Sequence, residues 1–249
     1  MKDKAIKYFD IKQSADGKSG DIFIYDEITQ FALEDFGEHS STTFKNELDK
    51  LGDVEQINLY VNSPGGSVFE GITIHNMLKR HKARVVAHVD ALAASIASVI
   101  IMAADEIRMP ANSMLMIHNP WALMVGNATD MRKKADDLDR IGSSSKQSYL
   151  NKAGDKLSDE KLQEMLDAET WLSADEALEY GLCDVVDESN DMAASISDEY
   201  KQRYKNVPSN LVENKKVTSA KEMAERKKIA EEAKFNSNYI KDILGGINL

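Results

Sequence analysis

Segments typical of strands and of helices alternate along the first 120 residues, and this alternation constrains the fold more than any other feature. Short apolar runs typical of strands lie at 22–25, 57–62, 84–89, 107–109 and 114–118. Between the first four of these runs lie segments with the spacing or composition of helices, at 41–51, 68–78 and 93–104. Repeated strand–turn–helix units predict an α/β fold in which helices pack across one sheet.

A long and highly charged helical segment follows at 127–152. Its few apolar residues include Leu138 and Ile141, so only a weak face is available for packing on its own domain. We therefore expect this helix to project and to pack on a neighbouring subunit. A capping box at Ser173 and Glu176 then predicts a short helix, and a last strand is expected at 183–186.

Changes in composition divide the chain into three parts. We assign residues 1–20 to an N-terminal segment, 21–187 to the main domain and 188–249 to a charged tail. The tail is rich in Asn, Ser, Lys and Glu, which predicts a flexible or conditionally helical segment. Because no motif lies in it, we expect the tail to be dispensable for the chemistry.

The charge balance excludes some classes of protein. The formal net charge is −11, from 31 basic and 42 acidic residues, and the acidic excess lies in the first 187 residues. Such an excess argues against nucleic-acid binding, which requires a basic surface. No Gly-x-x-x-x-Gly-Lys-Ser/Thr phosphate loop occurs, so work driven by ATP would require a partner, and an ATPase partner is left open.

The sequence predicts a cytoplasmic protein without a membrane anchor. Cys183 is the single cysteine, and no charged-then-apolar leader precedes the first periodic segment. The longest uncharged apolar run, residues 91–104, is shorter than the ~20 residues that a bilayer-spanning helix needs.

Two turns between strands and helices have the residues of a catalytic site. In the Asn-Ser-Pro-Gly-Gly turn at 62–66, the glycines allow backbone N–H groups to point at an oxyanion, although such a sequence also forms ordinary turns. Ser95 opens a helix directly after a strand and turn, among small residues, as a nucleophile elbow requires. The small residues would equally allow tight helix packing, so both interpretations stay open.

Among the five histidines, His118 is the best candidate for a general base. It ends an apolar strand and precedes Asn119-Pro120, where strand pairing must stop, so its ring lies beside a loop. A structural histidine at a strand end is the alternative. No His-x-x-x-His pair occurs, so we predict no metal site.

Taken together and in order, these motifs and the stretch 171–184 resemble those of the ClpP serine peptidases. They look most like the branch found in phages and prophages, the prohead or head-maturation proteases. The resemblance covers about residues 22–187. It implies the ClpP/crotonase-type βαβ superhelix, with 127–152 as a projecting handle helix and with assembly into a homo-oligomeric ring.

The resemblance also implies roles for individual residues. Ser95 matches the nucleophile, His118 the general base and Glu169 the acidic third member of the triad, with Asp167 as the alternative acid. The backbone N–H groups of Gly66 and Ile96 match the oxyanion hole, and no cofactor or metal is implied. This chain departs from the family at two positions: Ala91 replaces a usual glycine, and Glu169 replaces the aspartate of housekeeping members.

We therefore predict a serine endopeptidase that acts through an acyl-enzyme on Ser95, with protein or peptide substrates such as capsid or scaffold protein. Two alternatives remain. One is a crotonase-type acyl-CoA hydratase or isomerase, which shares the fold and the oxyanion hole. The other is a non-enzymatic capsid-assembly protein with an inactive protease fold.

Overall fold

The computed structural model describes residues 8–30, 40–189 and 204–208. The strands and helices within these ranges follow the predicted alternation. In chain order they are β1 Phe9–Gln13, β2 Ser19–Tyr25, α1 Ser40–Lys50, β3 Gln56–Ser63, α2 Val68–Arg80, β4 Arg84–Ala94, α3 Ile96–Ile101, β5 Glu106–Pro110, β6 Met114–Ile117, α4 Ala128–Ala153, α5 Asp159–Asp167, β7 Thr170–Ser173, α6 Ala174–Glu179 and β8 Val185–Asp187.

All eight of these strands belong to one sheet, in the order β1-β2-β3-β4-β5-β8, with β6 beside the second half of β4 and β7 beside β6. The pairs β1–β2 and β6–β7 are antiparallel, and the other pairs are parallel. Parallel strands need crossover connections, which helices provide here. The predicted α/β fold class is confirmed.

The core lies between the sheet and its helices. Along β3, the residues Ile57, Leu59 and Val61 are fully buried and alternate with half-buried polar or aromatic residues, because successive side chains of a strand point to opposite faces. Every residue of α3 is buried, since its small and aliphatic side chains allow the helix to pack closely on the strands.

The long helix α4 is held at its C-terminal end. It begins at a capping box formed by Asn127 and Asp130, and only Tyr149 and Ala153 of its 26 residues are buried. Most of its first half is exposed, in agreement with the weak apolar face that the sequence indicated. Large apolar side chains just before it are also exposed, with Leu123 at 91% and Val125 at 96%.

The sheet extends beyond the domain start that the sequence indicated. Strand β1 and the first two residues of β2 lie within 1–20, and Phe9 is buried against Phe44 of α1. Most of the predicted charged tail, 188–249, lies outside the described residues. No helix within the three described ranges is long and apolar enough to cross a membrane.

Candidate active site

The predicted site residues meet at one edge of the sheet because of strand direction and register. Strands β3, β4 and β6 are parallel, with Ser63 beside Ala93 and Ala94 beside Met116, so their carboxyl ends lie together. Ser95 and His118 directly follow the last residues of β4 and β6. The antiparallel strand β7 pairs Thr170 with Ile117, so Glu169 precedes β7 at the same edge.

Ser95 occupies a strained turn between β4 and α3. Its φ of 55° and ψ of −127° lie in a region that non-glycine residues seldom adopt. Its N–H donates to the carbonyl of Met116 at 2.9 Å, which ties this turn to β6. A sharp strand-to-helix corner of this kind presents the serine hydroxyl at the sheet edge, as a nucleophile elbow does.

The hydroxyl of Ser95 lies within hydrogen-bond distance of His118. The distance between Ser95 Oγ and His118 Nε2 is 2.7 Å. Burial lowers the pKa of His118, the nearby Glu169 carboxylate acts to raise this pKa, and the Lys205 cation acts to lower it. The net lowering favours the neutral imidazole, which is the form that accepts a proton from a serine hydroxyl.

The two candidate carboxylates differ in burial and in partners. Glu169 is 8% exposed, and its Oε1 accepts the backbone N–H groups of Lys205 at 2.6 Å and Asn206 at 2.9 Å. Asp167 is exposed at the end of α5 and accepts from the Asn119 and Gln163 side chains. Among the described residues, no hydrogen bond joins His118 to either carboxylate.

The Gly65-Gly66 turn has no room for a side chain at either position. A Cβ at Gly65 would lie 2.6 Å from Ser95 Cβ, and one at Gly66 would lie 2.2 Å from the Ile28 carbonyl oxygen. Both glycines also have positive φ angles, 98° and 143°. Within the described residues, the N–H groups of Gly66 and Ile96 donate no hydrogen bond, so both remain available to a ligand.

A buried hydrogen-bond chain connects α4 to the serine turn, and sequence reasoning missed it. Ser98 Oγ donates to the Ser95 carbonyl and lies 2.6 Å from Tyr149 Oη. Because the single hydroxyl proton of Ser98 is used on the carbonyl, the Tyr149 hydroxyl donates to Ser98. Burial raises the pKa of Tyr149, which keeps it a donor. Tyr149 lies among the sparse apolar residues of its helix, which is the only signal in the sequence.

Residues 204–206 also contact the site, and sequence reasoning missed them as well. The Tyr204 ring lies edge-on to the rings of His118 and Trp171, with centroid distances of 5.6 and 5.7 Å. Its hydroxyl donates to the Pro64 carbonyl. Within the polar tail, Tyr204, Val207 and Pro208 form a small apolar group, and this group is the signal that could have found them.

A pocket lined by both polar and apolar residues opens beside Ser95 and His118. Its apolar lining includes Val68, Ile96, Val99, Tyr149 and Leu166, and its polar lining includes Asn119, Ser145 and Lys146. In the described part of the chain, no cluster of three or more His, Cys, Asp or Glu residues could hold a metal ion.

Comparison with known proteins identifies a family whose members resemble this chain. The profile described as Clp protease matches residues 11–190. The chain is 35% identical over 130 residues to ATP-dependent Clp protease proteolytic subunit 3 of Rhodococcus jostii, covering 51% of this chain and 63% of that protein. It is 32% identical over 145 residues to the ATP-dependent Clp protease proteolytic subunit of Porphyromonas gingivalis, covering 57% and 64%.

A third relative is the ATP-dependent Clp protease proteolytic subunit of Deinococcus radiodurans, 33% identical over 147 residues, with 58% of this chain and 71% of the relative covered. The chain thus spans slightly less than two thirds of the first two relatives. The profile match includes Ser95, His118 and Glu169, whereas residues 204–206 lie beyond its end.

Proposed function

This chain belongs to the Clp protease family, and from this membership and the geometry of its site we propose that it is a serine peptidase. The observation that carries the proposal is the 2.7 Å contact between Ser95 Oγ and His118 Nε2 at a strained strand-to-helix corner. An adjacent glycine turn with a free N–H group supports it further.

The proposed reaction proceeds through an acyl-enzyme. Ser95 Oγ attacks the peptide carbonyl carbon while His118 Nε2 takes the hydroxyl proton, and the N–H groups of Gly66 and Ile96 stabilise the oxyanion. The intermediate collapses as His118 returns the proton to the leaving amine. Water then attacks the ester with His118 again as the base, which releases the acid and restores Ser95.

Glu169 is the proposed orienting acid. Its buried carboxylate lies close enough to His118 to act on the pKa of the imidazole, and it stabilises the imidazolium that forms during both steps. Asp167 is exposed and already accepts from Asn119 and Gln163, so it is the weaker candidate.

A fluorophosphonate probe tests this function directly. We expect the probe to label Ser95, and the labelling rate to fall with decreasing pH as His118 is protonated. Because burial lowers the pKa of His118, the midpoint should lie below the ordinary histidine value of about 6.5. The labelled residue is identified by mass spectrometry, and Ser95→Ala serves as the unlabelled control.

Absence of labelling at Ser95 would contradict the proposed peptidase. It would favour the two alternatives, an acyl-CoA hydratase or isomerase and an inactive protease fold, because neither needs a reactive serine. A midpoint above 6.5 would leave the peptidase standing but would contradict the role of burial in setting the pKa of His118.

The proposed substrates are proteins or peptides. The relatives are named as proteolytic subunits of ATP-dependent Clp proteases, which is consistent with an ATPase partner for a chain without a phosphate loop. The phage head-maturation branch, with capsid or scaffold protein as substrate, stays a prediction from the sequence resemblance.

We also propose that the protein forms a ring-shaped homo-oligomer. Leu123 and Val125, just before α4, are almost fully exposed, and burying them against another subunit would remove apolar surface from water. Light scattering at micromolar concentration should therefore give the mass of several subunits, and the double variant Leu123→Asp/Val125→Asp should lower it.

The matched control is Lys82→Glu, which makes the same change in net charge at an exposed position between α2 and β4, outside α4. We expect it to keep the mass of the unmodified protein. A monomeric mass for the unmodified protein would contradict the proposed oligomer.

A further inference from the structure

We propose that residues 204–206, which we call the strap, form a positioning element of the active site that holds the Glu169 carboxylate and covers His118. This inference rests on the proposed peptidase function. The strap lies beyond residues 11–190, the part of the chain that the family profile matches.

The strap supplies hydrogen bonds to the Glu169 carboxylate. This carboxylate is 8% exposed, and burying an anion is costly unless hydrogen bonds replace its water. The backbone N–H groups of Lys205 and Asn206 supply two such bonds to Oε1, at 2.6 and 2.9 Å. The strap therefore holds the carboxylate, because without it Glu169 would lose both donors.

A third bond anchors the strap itself. Asn206 Nδ2 donates to the carbonyl of Ala168 at 2.8 Å, directly before Glu169. Glu169 has a positive φ of 51°, so the backbone at this corner is strained and needs support from its surroundings. The Asn206 bond supplies support at that point.

Tyr204 lies between His118 and the glycine turn. Its side chain is buried, with its ring against His118 and its hydroxyl on the Pro64 carbonyl, next to Gly65 and Gly66. One side chain thus connects the turn that carries the proposed oxyanion donor to the general base. The ring limits rotation of the imidazole and keeps water from one of its sides.

The strap leaves the pocket beside Ser95 open. Tyr204 packs with Leu92, Ala94 and Met116 on one face of β4 and β6. The residues that alternate with these three along the two strands point to the other face of the sheet and belong to the main core beneath α3. None of the strap residues lines the pocket beside Ser95. The strap therefore contacts His118 and Glu169 on the side away from the pocket. This placement favours a strap that positions these two residues over one that blocks access to Ser95.

This inference replaces the expectation that the whole tail is dispensable for hydrolysis. That expectation depended on the polar composition of the tail, and it stays a prediction for the tail residues outside the strap. For the strap, the contacts with Glu169, His118 and Pro64 lead us to propose the opposite.

The test compares full-length Tyr204→Ala and Tyr204→Phe by peptide hydrolysis across pH. We expect Tyr204→Ala to lower kcat at least tenfold with little change in KM. The fall of kcat at low pH, which we call the acid limb, should also move to higher pH. Burial is the main cause of the lowered pKa of His118, and the groups that face it are Ser95, Glu169 and Lys205. Tyr204→Phe keeps the ring, so it should retain the acid limb and most of kcat.

Leu51→Ala is the matched control for destabilisation. Leu51 is buried beside Gly20 at the start of β2, and the site lies at the opposite ends of β3 and β4. This variant should lower stability in thermal unfolding but leave the acid limb in place. Circular dichroism and light scattering verify the fold and mass of each variant.

Unchanged kcat and acid limb in Tyr204→Ala would overturn the inference, and a higher kcat would overturn it in favour of an inhibitory strap. If Tyr204→Ala does not fold, an Asn206→Ala variant without loss of kcat would also overturn it. Labelling of Ser95 in the unmodified protein separates the two proposals. If the unmodified protein is neither labelled nor active, the proposed peptidase function is wrong. If it is active and Tyr204→Ala leaves kcat and the acid limb unchanged, only the proposed role of the strap is wrong.

Discussion

Ser95→Ala and His118→Ala should each reduce peptide hydrolysis by about 10⁶-fold, and the double variant should be no slower than either single variant. The reason is that Ser95 Oγ and His118 Nε2 lie 2.7 Å apart and act on one proton. Without His118 the hydroxyl stays protonated and is a poor nucleophile. Without Ser95 the imidazole has no hydroxyl to activate.

Turnover of a fluorogenic peptide by both single variants and the double variant measures this effect. His75→Ala is the histidine control, because His75 lies on α2 and contacts the adjacent Asn76 rather than Ser95. We expect its turnover to stay close to that of the unmodified protein. A double variant much slower than either single variant would mean that the two residues do not act as one catalytic unit.

Glu169→Gln should reduce turnover by about 10⁴-fold, the scale observed when a buried triad acid is replaced by its amide. Asp167→Asn should change turnover only severalfold. The glutamine keeps an Oε1 that accepts the N–H groups of Lys205 and Asn206, so the change removes the charge that stabilises the imidazolium and preserves the strap contacts.

Turnover of the same fluorogenic peptide and the oligomeric mass are measured for both variants. Asp167→Asn is the matched control, since it removes a carboxylate two residues away that is exposed and bonded to Asn119 and Gln163. A large loss in Asp167→Asn with near-normal Glu169→Gln turnover would reverse the assignment. Normal turnover in both would mean that Ser95 and His118 work as a dyad.

The carboxyl edge of the sheet shows how much of the site follows from local sequence. The alternation of strands and helices predicted an α/β fold, which the structure confirms. Ser95 and His118 each follow directly on a strand, and parallel strands bring their carboxyl ends together. The position of both residues at one edge of the sheet therefore follows from the fold class. Their contact depends on the pairing of β4 with β6, and the roles proposed for them await the experiments above.

The long helix α4 shows the same relation between sequence and structure. Its sparse apolar residues predicted a weak core face, and only Tyr149 and Ala153 are buried. Helical spacing identifies such a face because side chains three and four residues apart share it. The hydrogen bond between Tyr149 and Ser98 joins residues 51 positions apart. The periodicity of the helix could not predict this bond, because periodicity describes only neighbours within the helix.

Tertiary structure alone decided which of the two carboxylates is buried and which segment covers His118. Asp167 and Glu169 are two residues apart, and the turn with positive φ at Glu169 buries one while the other stays exposed. Tyr204 meets Pro64 across 140 residues, and the strap meets Glu169 across 36. Local sequence patterns therefore determined the α/β fold and the corners that carry Ser95 and His118. Contacts between distant segments depend on the surfaces that the folded chain brings together, so the burial of Glu169 and the strap could be seen only in the structure.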